Sequence, residues 1–154
     1  MSQYQVTNSS PLIVFLRIGQ IDLLPSTLGP LFIPQAVRKE VFGQDPVPQW
    51  LEERTLAQPL AAQIVAARLG HGECEAIALA LKLRATLLLI DDLPARRLAQ
   101  SLNIPVMESL GLLLRAKGNG LIPAVRPLME AMQSQEFQIS DRVFAKILSA
   151  AGEL

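Results

Sequence analysis

The sequence predicts an α/β fold, a three-layer sandwich in which a central sheet of short parallel strands is covered by helices on both faces. Three observations lead there. Short apolar runs, "YQVTN" (4–8), "LFI" (31–33), "TLLLI" (86–90) and "IPVM" (104–107), alternate with helix-length segments along the whole chain. The run "TLLLI" shows no polar alternation, as befits a strand buried on both faces of a parallel sheet. Half of the 154 residues are hydrophobic and 18% are charged, enough apolar surface for one well-buried core and a single domain over 1–154.

The elements follow in order. "YQVTN" has the β-branched content of a first strand and ends in a polar cluster. Ser9 or Ser10 is suited to cap the next helix, with Pro11 in its first turn; Leu12, Phe15, Leu16 and Ile18 give the apolar face, and Gly19 ends it. "LFI" is a second strand, and Pro34 opens a helix through "QAVRKEVF". "GQDPVP" (43–48) is a loop, and one or two helices are expected over 49–69. "GECEAIALALKL" (72–83) is apolar nearly all round and reads as a buried helix leading into "TLLLI". "ARRLAQSLN" is helical, "IPVM" is a strand, and "SLGLLLRAKGNG" is a helix stopped by glycines. Helices at about 123–134 and 140–151 close the chain, the last started by Ser140 and Asp141.

Composition removes several classes of chemistry. Cys74 and His71 are the sole cysteine and histidine, so an intrachain disulfide, a Cys/His zinc site and a two-histidine nuclease are all excluded. A free cysteine is more often packing than nucleophile. Net charge is zero, but residues 93–126 carry Arg96, Arg97, Arg115, Lys117 and Arg126 against Glu108 alone. That stretch is either a solvated face or a set of phosphate contacts. "PLIVFL" stops at Arg17, too short for a leader or a membrane span, and a cytoplasmic location is expected.

Carboxylates gather where a parallel sheet places its function, at the carboxyl ends of strands. Asp91 and Asp92 follow "LLLI", Glu40 lies in the helix after the second strand, and Glu73 and Glu75 begin the buried helix. Each has an ordinary explanation as a cap, a dipole partner or a surface residue. Glu73 and Glu75 are separated by about 200° on a helix, so regular geometry cannot aim both at one point. Jointly, oxygen ligands from separate elements without Cys or His suit hard Mg²⁺ or Mn²⁺.

Five segments in order, "VTNSSPLI" (6–13), "IPQAVRKEV" (33–41), "LGHGECEAIALAL" (69–81), "LLLIDDLPARRLA" (87–99) and "LGLLLRAKGNGLIPAVRPLM" (110–129), together resemble the PIN-domain family. The similarity is to its VapC-like branch, with a proline after the first motif. The resemblance implies a PIN-like sandwich, an acidic pocket for Mg²⁺ or Mn²⁺ and ribonuclease activity. It further implies a toxin's role beside a small antitoxin, and a homodimer. It assigns Glu40 as the second acid, Glu73 or Glu75 as the third, Asp92, with Asp91 beside it, as the last, and Ser10 as a pocket hydroxyl. The chain departs from the family at Asn8, where an aspartate is usual, and at Glu108, where glycine is common.

Two functions are therefore carried forward. One is a metal-dependent endoribonuclease in which Glu40, Glu73 and Asp92 act, Asn8, Glu75 and Asp91 complete the ion's surroundings, and Arg96, Arg97, Arg115 and Lys117 steer the RNA backbone. The other is a non-catalytic RNA- or protein-binding module, because the amide of Asn8 brings an oxygen but no charge. A receiver-like phosphoacceptor pocket fits less well, since the paired acids come late and no lysine follows before Lys117.

Overall fold

The computed structural model describes residues 3–57 and 60–154. In chain order the elements are β1 (Gln5–Thr7), α1 (Ser9–Arg17), α2 (Leu23–Leu28), β2 (Leu31–Ile33), α3 (Gln35–Phe42), β3 (Leu51–Glu53) and α4 (Ala62–Ala66). There follow α5 (His71–Leu83), β4 (Leu87–Leu89), α6 (Leu93–Ser101), β5 (Val106–Met107), α7 (Ser109–Gly118), α8 (Arg126–Ser134) and α9 (Asp141–Ala150). The strands form one five-stranded sheet in the order β3-β2-β1-β4-β5, and every neighbouring pair is parallel.

Alternation along the strands builds the three layers. Leu31, Ile33, Leu87 and Leu89 point into one apolar layer with Leu12, Phe15 and Leu112. Val6, Leu88 and Ile90 point into the other with Ile77, Leu79 and Ala99. β4 is consequently buried on both faces, which is why its sequence is an unbroken leucine run.

The chain steps from β1 outward to β2 and β3, then returns through α4 and α5 to place β4 on the other side of β1. The β1/β4 boundary is thus the point where connections diverge, and a crevice opens there at the carboxyl ends of the strands. Register fixes what borders it: Thr7 pairs with Leu89, and the Asn8 amide donates to the Leu89 carbonyl at 2.9 Å.

Two expectations are corrected. Residues 49–69 are not wholly helical: 51–53 form the edge strand β3, held by pairing of Leu31 with Leu51 and Ile33 with Glu53, and α4 spans only Ala62–Ala66. Residues 58 and 59 of that stretch lie outside the described residues. Neither Ser9 nor Ser10 caps α1; Asn8 occupies that position, and both serines sit in the first turn. α2 had no counterpart in the sequence reading.

Candidate functional site

Asn8 ends β1 and starts α1 with an extended backbone, φ −85° and ψ 177°. An asparagine there ordinarily turns its side chain onto an amide of the first helical turn. This one does not. The residue is 3% exposed, and among the described residues its Oδ1 has no hydrogen-bond partner; the Ser9 Oγ beside it is in the same condition. Buried oxygens without partners are costly, of order 1–3 kcal/mol each, and mark places where water, an ion or a ligand belongs.

Both oxygens converge on Gly72 in the first turn of α5. A Cβ on Gly72 would stand 3.3 Å from Asn8 Oδ1 and 3.5 Å from both Ser9 Oγ and Glu40 Oε2. Oxygens from β1's end, α1 and α3 therefore surround one small space that only glycine leaves open. Glu40 reaches it from an exposed position on α3. Glu73 is half-buried, folds back over Gly70, and lines the crevice on both sides of Asn8 and Ser10. Glu75 has a different task, since its Oε1 accepts the Ala36 amide at 3.1 Å and ties α5 to the first turn of α3. Ala36 and Glu40 lie one turn apart, so this tie fixes the helix that carries Glu40.

The paired aspartates divide their roles. Asp92 is the N-cap of α6, its Oδ2 accepting the Ala95 amide at 3.0 Å from an exposed position. Asp91 turns inward. Its Oδ2 accepts the Ser10 hydroxyl at 3.1 Å and the Ser109 hydroxyl at 2.7 Å, and its Oδ1 accepts the Ser109 amide at 2.7 Å. A carboxylate at the N-terminus of α7 also interacts favourably with the helix dipole. Both acids line the crevice.

Glu108, unexplained from sequence, pairs with Arg96 at 2.6 Å, and Arg96 Nε donates to the Asp91 carbonyl at 3.3 Å. Arg96 is thereby committed to an ion pair with Glu108, which lines the crevice. Lys117 is likewise engaged, bonded to Glu153 at 2.9 Å and to the Ala151 carbonyl. Arg97 and Arg115 are exposed. Sequence reasoning missed four contributors: Ser9, Gly72, Ser109 and Arg17, the last lining the crevice near Glu40. Glycine and serine carry no periodic or charge signal, so only the fold identifies them. Cys74 is buried beside the carbonyls of Ile64 and Leu69, and burial pushes its thiol pKa up, the surroundings of a packing residue.

Among the described residues no three His, Cys, Asp or Glu side chains are grouped closely enough to hold an ion by themselves. The donors present are nevertheless all oxygens, and the unpartnered Asn8 Oδ1 and a Glu40 oxygen both lie near the place a Cβ on Gly72 would take, a donor set that fits a hard divalent cation. A family model described as a PIN domain matches residues 4–153. The chain belongs to the PIN-domain family. No curated protein matches it. PIN domains are commonly nucleases, typically use divalent metals and bind nucleic acid, and this PIN domain has the sandwich expected of them. No helix among the described residues is long and apolar enough to cross a membrane.

Proposed function

We propose that this PIN domain is an Mg²⁺- or Mn²⁺-dependent endoribonuclease, VapC-like in type, acting in the cytoplasm as the toxin of a toxin–antitoxin pair and assembling as a homodimer. The observation that carries the activity is the buried, unpartnered Oδ1 of Asn8, aimed with Glu40 into the space over Gly72. Asn8 and Glu40 would hold the ion, with Glu73 beside them and Asp91 fixed by Ser10 and Ser109 as a second-line charge. Asp92 borders the crevice while capping α6, and Glu75 anchors α3. When bound, a divalent cation supplies Lewis acidity and neutralises charge building on the scissile phosphate. Glu73, which lines both sides of the crevice, would take the proton of the attacking water at its carboxylate as the P–O bond breaks, the leaving oxygen taking a proton from solvent. Arg97 and Arg115 steer the backbone, and Arg17 meets a phosphate near Glu40.

Incubation of RNA with wild-type protein in Mn²⁺ and in chelator tests this. Cutting that needs the metal and disappears in Glu40→Gln supports the nuclease. A second reading, an RNA- or protein-binding module without catalysis, is favoured by the neutral amide at Asn8. Metal-independent RNA binding with no cutting, and cutting gained on Asn8→Asp, would establish that reading instead.

A further inference from the structure

The crevice has two hollows that meet at Asn8, Ser10, Glu73 and Phe137. One, of about 690 Å³, extends toward Asp91 and Asp92; the other, of about 330 Å³, extends toward Glu40 and Arg17. Phe137 borders both, and it also borders a third hollow outside the segment 135–140 that joins α8 to α9. We propose that Phe137 is a nucleobase platform. An unpaired base of a bound RNA strand lies against its ring, the side-chain amide of Gln138 meets the base edge, and the adjoining phosphate enters the acidic crevice. This inference rests on the ribonuclease reading above.

Aromatic rings are scarce here, five Phe with one Trp and one Tyr. Elsewhere they serve the fold: Phe15 is fully buried, Tyr4 packs edge-on against Phe32 beneath Arg54, and Phe144 lies under Arg126. Phe137 alone among them lines the two hollows, while part of its ring packs on the α1-side core. Its segment is held in place. The Phe137 amide donates to the Met132 carbonyl at 3.1 Å, Gln133 Nε2 reaches the Ile139 carbonyl at 3.4 Å, and Ser140 caps α9. Glu136 turns the chain in the left-handed region at φ +65°. A platform fixed beforehand loses little freedom on binding.

Charge supplies the reason for such a platform. Glu73, Asp91, Asp92 and Glu108 border the larger hollow, so phosphate is repelled until cations are present. Stacking is indifferent to that charge, and every base offers a π-face.

The test uses full-length protein and a single-stranded RNA, with Ca²⁺ in place of Mg²⁺ as a hard cation that activates water poorly and a denaturing gel to verify that the strand stays intact; an abasic position is scanned along the strand and affinity is read by anisotropy. Phe137→Leu, which keeps an apolar side chain but not the aromatic face, should weaken binding on the order of tenfold. One abasic position should cost the wild type a similar factor and cost the leucine variant almost nothing, and Phe137→Tyr should restore the loss. If Phe137→Leu binds like wild type, or its loss multiplies independently with every abasic position, the platform is wrong while the nuclease stands. Should the leucine variant fail to fold, the scan on wild type decides: no single sensitive position overturns the proposal. Wild type that binds no RNA strand at all would sink the nuclease reading and this inference together.

Discussion

Ser109 donates twice to Asp91, through its amide to Oδ1 and its hydroxyl to Oδ2, both at 2.7 Å. These bonds join the end of β4 to the start of α7, and Ser10 adds a third from α1. Asp91 is thus surrounded by donors, whereas Asp92 serves one amide at the surface. The family resemblance favours Asp92 as the last acid; the hydrogen bonds fix Asp91 in place and leave Asp92 at the surface. Asp91→Asn places an amide hydrogen against one of these donors and should destabilise the fold by about 1–3 kcal/mol. Asp92→Asn keeps a good N-cap and should shift stability by no more than a few tenths of a kcal/mol. Urea denaturation measures both, and we expect RNA cleavage to fall further in Asp91→Asn. Equal stability of the two variants would show that the serines do not hold Asp91.

Asn8→Asp adds charge where Oδ1 has no partner. In chelator the new carboxylate is buried near Glu40 and should lower the melting temperature. In Mn²⁺ the order should reverse, with calorimetry giving tighter ion binding than wild type. An unchanged affinity would place Asn8 outside the ion's ligands.

Gly72→Ala tests the space itself. Alanine is favoured over glycine within a helix by about 1 kcal/mol. Its Cβ would nevertheless stand 3.3 Å from Asn8 Oδ1, so that side chain must give way. The expected variant keeps or gains thermal stability while losing Mn²⁺ affinity and cleavage. Retention of both functions would mean that the oxygens around Gly72 are not the binding site.

Much of the sheet was legible because its signals are local. "LFI" and the leucine run of β4 are short, apolar and bounded, and their strands fall at 31–33 and 87–89. β3 was not legible, because "LEE" has one buried residue and two exposed glutamates; pairing with β2, not propensity, makes it a strand. Charged residues at such an edge also discourage pairing with another chain. Around the crevice, the sequence points to Glu40, Glu73, Asp91 and Asp92, which border it, but not to what each side chain is tied to. Whether Glu73 or Glu75 turns to the crevice depends on Ala36, and which aspartate turns inward depends on Ser109. Both partners are remote in sequence.

Glu153, next to the end of the chain, closes the α8 terminus. Its carboxylate accepts the Val125 amide at 2.8 Å, the Lys117 ammonium at 2.9 Å and the Arg126 amide at 3.1 Å. These donors, the Val125 amide foremost, lower its pKa from 4.5 to about 2. A pKa depressed on folding means the unfolded chain binds the proton more readily, so stability rises with pH across the interval between the two values. The contribution is complete above about 4.5 and is lost as pH falls through about 2. Glu153→Gln should therefore be less stable than wild type at neutral pH, and the difference should shrink on acidification through this window. Thermal melts of both proteins at a series of pH values would show it. A gap independent of pH would mean that the clasp works by hydrogen-bond geometry alone and not by its charge.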